Sequence, residues 1–389
     1  MEASPRPKIA LIYFDAGGGH RAAARALESV AREQGRPWQI ELINLQEILD
    51  DIDPVHKLLR IRLADFYNRT MAAGWTLGAP ALLKALHATI RLYRAKIDRR
   101  LQELWRIVQP QVVVSLIPNF NACLARSLGA ALPETPFVTV LTDLADFPPH
   151  FWIERESQYI ICGTERARGQ ARALGHGNGT VIRTSGMILN PKFYQPLQCD
   201  RAQFRAELGL HPELPTALVL FGGHASRDMW AVAAGLEFAS SELQAIFICG
   251  HNARMRERLE QRRFRYRTAI TGFTAEVPAY MANSDFLIGK PGPGVISEAI
   301  QMRLPVIVNR NLWTLPQERY NAEWVEEVGA GICIRDFRSI APAADQMVRE
   351  LSSYRARAAA LENRAVFEVV ESLDSIVRRM ASTTPAAVV

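Results

Sequence analysis

Two glycine clusters, one in each half of the chain, restrict its fold more than any other feature. The apolar run Lys8 to Phe14 ends in Asp15-Ala16-Gly17-Gly18-Gly19-His20, and Lys290-Pro291-Gly292-Pro293-Gly294 opens a helical stretch whose first turn is expected to end at Glu298. Each reads as strand, glycine-rich turn and helix start, an arrangement in which backbone N–H groups and the helix dipole cradle a phosphate. Glycines after a strand are equally ordinary turn punctuation, so the flanking residues matter. His20 stands at the mouth of the first turn, the wrong place for a core histidine, and Arg21-Ala22-Ala23-Ala24-Arg25-Ala26-Leu27 behind it favours helix.

The rest of the chain alternates in the same way. Strands are expected near 8–14, 39–44, 111–117, 136–141, 158–162 and 180–183, then near 216–221, 244–249, 267–271, 285–288 and 305–308. Helical stretches between them give two parallel, doubly wound sheets in an α/β fold. At 389 residues the chain fits two domains. Asn190-Pro191-Lys192-Phe193-Tyr194-Gln195-Pro196 reads as the linker, its prolines stopping regular structure. The expected division is 1–190, 191–353, a final helix over 354–380 and a disordered tail at 381–389.

Composition excludes several classes. No stretch approaches the roughly 18–20 apolar residues of a spanning helix, and Met1 to Pro7 has no signal-peptide core, so a cytoplasmic protein is expected. Cys123, Cys162, Cys199, Cys249 and Cys333 are scattered and odd in number, which suits small core residues rather than a disulfide framework or zinc cluster. Residues 1–195 carry 24 Lys/Arg against 18 Asp/Glu, whereas 196–389 carry 22 of each. Much of the excess falls in a helical insertion, 57–108, with 11 basic and three acidic residues. There Leu82, Leu86, Ile90, Tyr93, Ile97, Leu101, Leu104 and Val108 form one apolar stripe. A stripe with peripheral cations, and Trp75 nearby, suits docking on an anionic bilayer; it suits a core-facing helix with a solvated basic face as well. No nucleic-acid motif is present, and Arg262-Arg263-Phe264-Arg265-Tyr266-Arg267 reads as a solvated helix end leading into a strand.

From Asp15 to Arg21 the chain resembles the monogalactosyldiacylglycerol synthase and lipid-linked N-acetylglucosaminyltransferase group of inverting glycosyltransferases, which use nucleotide sugars. The synthase branch has Asp-x-Gly-Gly-Gly-His-Arg, as here, where the peptidoglycan enzyme has Gly-Gly-Thr-Gly-Gly-His. The resemblance extends over nearly the whole chain and implies two facing Rossmann-like domains (GT-B type) with a nucleotide-sugar cleft between them. It implies a hexose, galactose or glucose, moved from a UDP-sugar to a membrane lipid hydroxyl, diacylglycerol above all, by a protein peripherally bound at the inner membrane face.

Such a transfer needs a base, stabilisation of the departing diphosphate and a grip on sugar and nucleoside. His20 suits the base or a phosphate contact. Asp143, just past a strand's carboxyl end, is the other base candidate. The resemblance implies donor contacts from Gly18, Gly19, Gly222, Gly223, Phe273 and Lys290, and from Gly294, Val295, Ile296, Ser297 and Glu298, with Glu298 on the ribose. It implies sugar and phosphate contacts from Gln317, Glu318 and Asn321, which stand in Pro316-Gln317-Glu318-Arg319-Tyr320-Asn321. Trp75 and Trp152 are the acceptor-side candidates, Trp152 through Pro148-Pro149-His150-Phe151-Trp152.

The chain departs from the family pattern at two places. Asn190-Pro191 replaces an Arg-Pro pair, so a diphosphate cation must come from elsewhere, Lys290 or Arg227 for instance, and the segment from Asn309 to Pro316 is about two residues longer than expected. No metal or other cofactor is expected, because helix N-termini supply the stabilisation. A sugar-nucleotide 2-epimerase of the same architecture, a UDP-N-acetylglucosamine transferase and a non-catalytic nucleotide-sugar-binding protein remain as alternatives.

Overall fold

The computed structural model describes residues 6–15, 18–50, 87–197, 200–223 and 226–383. Gly17, Trp75, Cys199 and the insertion up to residue 86 lie outside them, as do residues 384–389 of the expected tail. The chain divides into two compact units. One holds the described residues up to Pro191 and those from Arg364 onward, and the other holds Lys192–Asn363.

The first unit is a six-stranded parallel sheet in the order β2-β1-β3-β4-β5-β6. Its strands are β1 (Lys8–Tyr13), β2 (Gln39–Asn44), β3 (Val112–Ser115), β4 (Phe137–Val140), β5 (Tyr159–Cys162) and β6 (Val181–Arg183). Val112–Ser115 and Phe137–Val140 are buried at every position, as expected of central strands covered on both faces. Ile9 pairs with Ile40 on one side and Val112 on the other, so β1 lies where the order reverses between β1 and β3. The helix Gly19–Glu33 buries Ala23, Ala24, Ala26, Leu27, Val30 and Ala31, a stripe with helical spacing.

The second unit repeats the plan with β7 (Thr216–Leu220), β8 (Gln244–Ile248), β9 (Thr268–Thr271), β10 (Phe286–Gly289), β11 (Val306–Asn309) and β12 (Gly331–Ile334). The order is β12-β11-β10-β7-β8-β9, so the reversal lies between β7 and β10. Gly289 is required there, because a Cβ at that position would sit 2.4 Å from the Leu220 carbonyl oxygen. Gly250 has φ +56° and would bring a Cβ within 2.2 Å of the Gly223 oxygen.

Several expectations are corrected. The final helix is two: Leu351–Ala359 packs in the second unit, with Tyr354 and Ala358 buried, and Ala365–Thr383 belongs to the first. Arg36 pairs with Asp374 at 2.8 Å, and Ser185 donates through N–H and Oγ to Glu368 at 2.6 and 2.9 Å, fixing the second of these helices within the first unit. The second unit therefore extends to Asn363 rather than 353. The linker prolines do not abolish regular structure, since Pro191–Tyr194 forms a 3-10 turn. In the described part of the basic insertion, Ile97, Leu101, Trp105 and Val108 are buried in the unit's own core, so the stripe is used internally, while the outer face carries basic side chains together with exposed Leu92 and Ile107. Cys123, Cys162 and Cys249 are buried free thiols, and Cys333 is half-buried.

Candidate active site

In doubly wound sheets, ligands bind beyond the carboxyl ends of the strands at the point where the order reverses. The first unit places His20 there. Gly18 caps the helix after β1 in the left-handed conformation, φ 79°, and no side chain completes the cap. His20 Nδ1 lies 3.2 Å from Thr142 Oγ1 beyond β4, and the ring also bonds the Leu116 carbonyl just past β3. The ring is half-buried, and its burial pushes the imidazole pKa down to about 4, the Leu116 bond opposing only in part. The ring is therefore neutral at pH 7, able to accept a proton or to hold a hydrogen bond.

Asp143 follows Thr142 directly. Its Oδ2 accepts from Trp152 Nε1 at 2.8 Å, and the Trp152 and His20 ring centroids are 6.0 Å apart. Trp152 is 0% exposed, so it lines no open mouth; it orients Asp143 instead. Its backbone is held at both ends, the N–H by Asp146 Oδ1 (2.6 Å) and the carbonyl by Asn121 Nδ2 (2.8 Å). Asn121 Oδ1 in turn accepts from Ser115 Oγ at 2.6 Å. His20, Thr142, Asp143 and Trp152 thus form one supported cluster across 132 residues of chain, from 20 to 152. Thr142 is the member that sequence reasoning missed; nothing but its place before Asp143 pointed to it.

The second unit's candidates gather at the β7/β10 reversal. Gly222, at φ 79°, and Gly223 follow β7, and Lys290 to Gly294 follow β10. The helix there runs Pro293–Gln301 with Gly292 as its cap and no capping side chain. Proline contributes no N–H, and the Ile296 N–H is taken by the Gly292 carbonyl at 3.1 Å. This leaves the Gly294 and Val295 N–H groups as the donors open to a ligand, among the described residues. Ile296 and Ser297 are buried and turned into the core. Glu298 is the sixth helical residue, not a first-turn one, so favourable interaction with the helix dipole does not account for it. It is half-buried, and burial raises its carboxyl pKa to about 7.

Lys290 Nζ pairs with the buried Glu318 Oε1 at 3.2 Å. Asn321 is fully buried and donates through Nδ2 to the Pro291 carbonyl at 2.9 Å, while its Oδ1 has no protein partner among the described residues. It ties the helix Pro316–Glu327 to the Lys290 turn. Gln317 is half-buried in that helix's first turn. Phe273 is exposed after β9 and stacks on His251, with centroids 4.3 Å apart. His251, which the sequence marks only as a turn residue and not as a donor contact, also donates its N–H to the Gly223 carbonyl at 2.8 Å. The lengthened segment before Pro316 is a locked turn. Asn311 Oδ1 accepts from the Trp313 N–H at 2.8 Å and the Asn311 N–H donates to Thr314 Oγ1 at 2.9 Å, displaying Leu312 and Trp313 to solvent.

Residues 217–372 match the glycosyltransferase family 28 C-terminal domain. The chain is 28% identical over 405 residues to the Oryza sativa subsp. indica protein named probable monogalactosyldiacylglycerol synthase 2, chloroplastic, covering 97% of this chain and 82% of that one. It is 26% identical over 409 residues to monogalactosyldiacylglycerol synthase 1, chloroplastic, of Arabidopsis thaliana, covering 98% and 73%. In fold it is similar to MurG of Acinetobacter baumannii, with a TM-score of 0.63 at 12% identity over 95% of this chain and 100% of that one. The UDP-GlcNAc 2-epimerase of Neisseria meningitidis gives a TM-score of 0.58 at 13% identity, covering 96% and 100%.

Proposed function

Because this chain belongs with the two-Rossmann-domain (GT-B) glycosyltransferases that use UDP-sugars, we propose that it moves a hexose from a UDP-sugar to the hydroxyl of diacylglycerol with inversion. The observation that carries the reading is the His20–Thr142–Asp143–Trp152 cluster. It sets a neutral imidazole at the carboxyl end of one sheet, while the second sheet presents the open Gly294 and Val295 N–H groups beside Lys290. The names and near-complete coverage of the synthase relatives support diacylglycerol as acceptor and galactose as sugar.

The acceptor oxygen attacks the anomeric carbon as the bond to the UDP oxygen breaks, and the hydroxyl proton passes to His20. An imidazole with a pKa of about 4 is a weak base, and a substrate's negative charge close to the ring would raise it. Asp143, held by Trp152, fixes the loop that carries Thr142, and Thr142 sets the ring. The Gly294 and Val295 N–H groups and the helix dipole take up the charge developing on the diphosphate. Lys290, drawn from Glu318, supplies the cation that Asn190 cannot. Glu298 accepts the ribose hydroxyls. We propose that no divalent ion takes part and that the protein works while bound to an anionic membrane face.

UDP release in the presence of EDTA, with UDP-galactose, UDP-glucose and UDP-N-acetylglucosamine, each with and without diacylglycerol vesicles, tests the reading. Vesicle-dependent release from UDP-galactose is expected. Release that ignores vesicles contradicts the lipid acceptor, and release abolished by EDTA contradicts metal independence.

The raised Glu298 carboxyl predicts a pH effect on donor binding. If only the ionised form accepts the ribose hydroxyls, UDP affinity measured by calorimetry weakens about tenfold between pH 8 and pH 6, the competent fraction falling through a pKa of about 7. Glu298→Gln binds more weakly and flattens the profile. An unchanged slope in that variant assigns the titration to another group.

A further inference from the structure

We infer that the second unit carries its own docking patch for an anionic bilayer, along β9 and the helix before it. This rests on the lipid-acceptor reading for the choice of a membrane as partner. Residues 196–389 are balanced in charge, 22 against 22, yet 254–267 hold seven arginines against Glu257 and Glu260. The remainder of that half carries 15 basic and 20 acidic residues, so positive charge is concentrated in one segment of an otherwise acidic unit.

The packing fixes where those charges point. In the bent segment that leads into β9, Phe264 stacks on Phe247 (centroids 5.9 Å apart), and Tyr266 donates its hydroxyl to the Ala233 carbonyl at 2.9 Å. Between and beside these anchored rings, Arg263, Arg265 and Arg267 are all exposed to solvent. On the helix Ala253–Glu260, Met255 and Leu259 enter the core, leaving Arg254 and Arg258 outward and one turn apart. Arg258 lies 4.0 Å over the Trp230 ring and Arg262 lies 4.9 Å from it, which orders the two guanidinium groups. Arg254, Arg263, Arg265 and Arg267 have no carboxylate partner among the described residues. Phe238, 78% exposed, follows Glu237, the partner of Arg262 at 3.2 Å, and adds an apolar side chain at the rim.

β9 is an edge strand, and positive charge on an edge discourages pairing with another chain. That purpose does not account for Arg254 and Arg258, which lie on the helix. Exposed arginines concentrated in one short segment, four of them without a carboxylate partner among the described residues, suit a surface of phosphate headgroups, each cation adding to the attraction.

The test is sedimentation of the full chain with vesicles of phosphatidylcholine alone or with one third phosphatidylglycerol. R263E/R265E/R267E is compared with the charge-matched control R32E/R172E/R349E, whose positions are exposed and outside the patch. Binding to anionic vesicles is expected to fall at least tenfold in the patch variant and less than threefold in the control. Transfer to diacylglycerol presented in detergent micelles is expected to stay at the wild-type rate. Equal losses in both variants, or none in the patch variant, overturn the proposal, as does a patch variant that only aggregates, which reads as edge protection. Patch-dependent binding to a homopolymeric RNA, without binding to vesicles, overturns it in favour of nucleic acid. Micellar turnover that is absent even in wild type sinks the functional reading, while the vesicle result still decides the patch.

Discussion

His20→Ala is expected to lower kcat by roughly 10²- to 10⁴-fold, the usual contribution of a positioned proton acceptor. Binding of UDP should change little, because the second unit's contacts are intact. Fold should survive as well, since the half-buried ring bonds only the Thr142 hydroxyl and the Leu116 carbonyl, and the Leu116 N–H still donates to the Ile12 carbonyl at 3.0 Å without it. The pH behaviour separates a catalytic role from a merely structural one. A histidine whose folded pKa is about 4 against about 6.5 unfolded stabilises the neutral folded form above pH 6.5, and that stability is lost as pH falls toward 4. The alanine variant should therefore show a shallower loss of stability over that window while remaining inactive at every pH. Asp143→Asn keeps a Trp152 partner and should retain far more activity. The opposite ranking, with His20→Ala active and Asp143→Asn dead, would make Asp143 the base.

The second large effect is on stability and lies at the other end of the second sheet. Asp285 precedes β10 and accepts from Arg201, Arg205 and Arg355, with Arg205 at 2.6 Å and Arg355 at 2.7 Å, and from the Thr216 N–H at 2.8 Å. Burial alone would raise its pKa, but these donors outweigh burial and hold the carboxyl below its ordinary value. Its stabilisation is therefore present above the ordinary carboxylate pKa and lost as pH falls through the lower folded one. Arg205 is 1% exposed, so Asp285→Ala leaves a buried guanidinium without a counter-charge and should cost about 3–5 kcal/mol. Thermal unfolding should fall by roughly 10 °C. Adding Arg205→Met should recover much of that loss, since the buried charge goes with it. A double variant less stable than the single one would show that Arg205 matters for its other bonds, to the carbonyls of Asn283, Pro212 and Leu214. The cluster lies at the amino end of β10, away from Lys290, so turnover at low temperature should be unchanged.

Much of this architecture was legible as hydrophobic runs bounded by glycine turns, because a parallel strand buried on both faces must be apolar throughout. β12 escaped notice because it begins with a glycine and its other three residues are only half-buried. Gly331 is needed because a Cβ there would sit 2.1 Å from the Val306 oxygen, a constraint visible only once β11 lies alongside. The glycine turns announced both phosphate-binding candidates, but neither the convergence of His20 on Thr142 nor the burial of Trp152 could be read from residues that far apart. In the described part of the basic insertion, the core-facing reading of the stripe is the one that holds. Of its stripe, Ile97, Leu101 and Val108 serve as core, since periodicity identifies an apolar face without saying what covers it. The run Arg262 to Arg267 was read as a solvated helix end, and averaging charge over half the chain hid that it joins Arg254, Arg256 and Arg258 in an otherwise acidic half.

The most direct test is the lipid product itself. The purified protein would be incubated with UDP-[¹³C]galactose and diacylglycerol vesicles, the lipids extracted, and the product examined by mass spectrometry and proton NMR. The account predicts diacylglycerol heavier by one labelled hexose in β linkage, absent with His20→Ala. UDP release without labelled lipid, or an α-linked product, would contradict it.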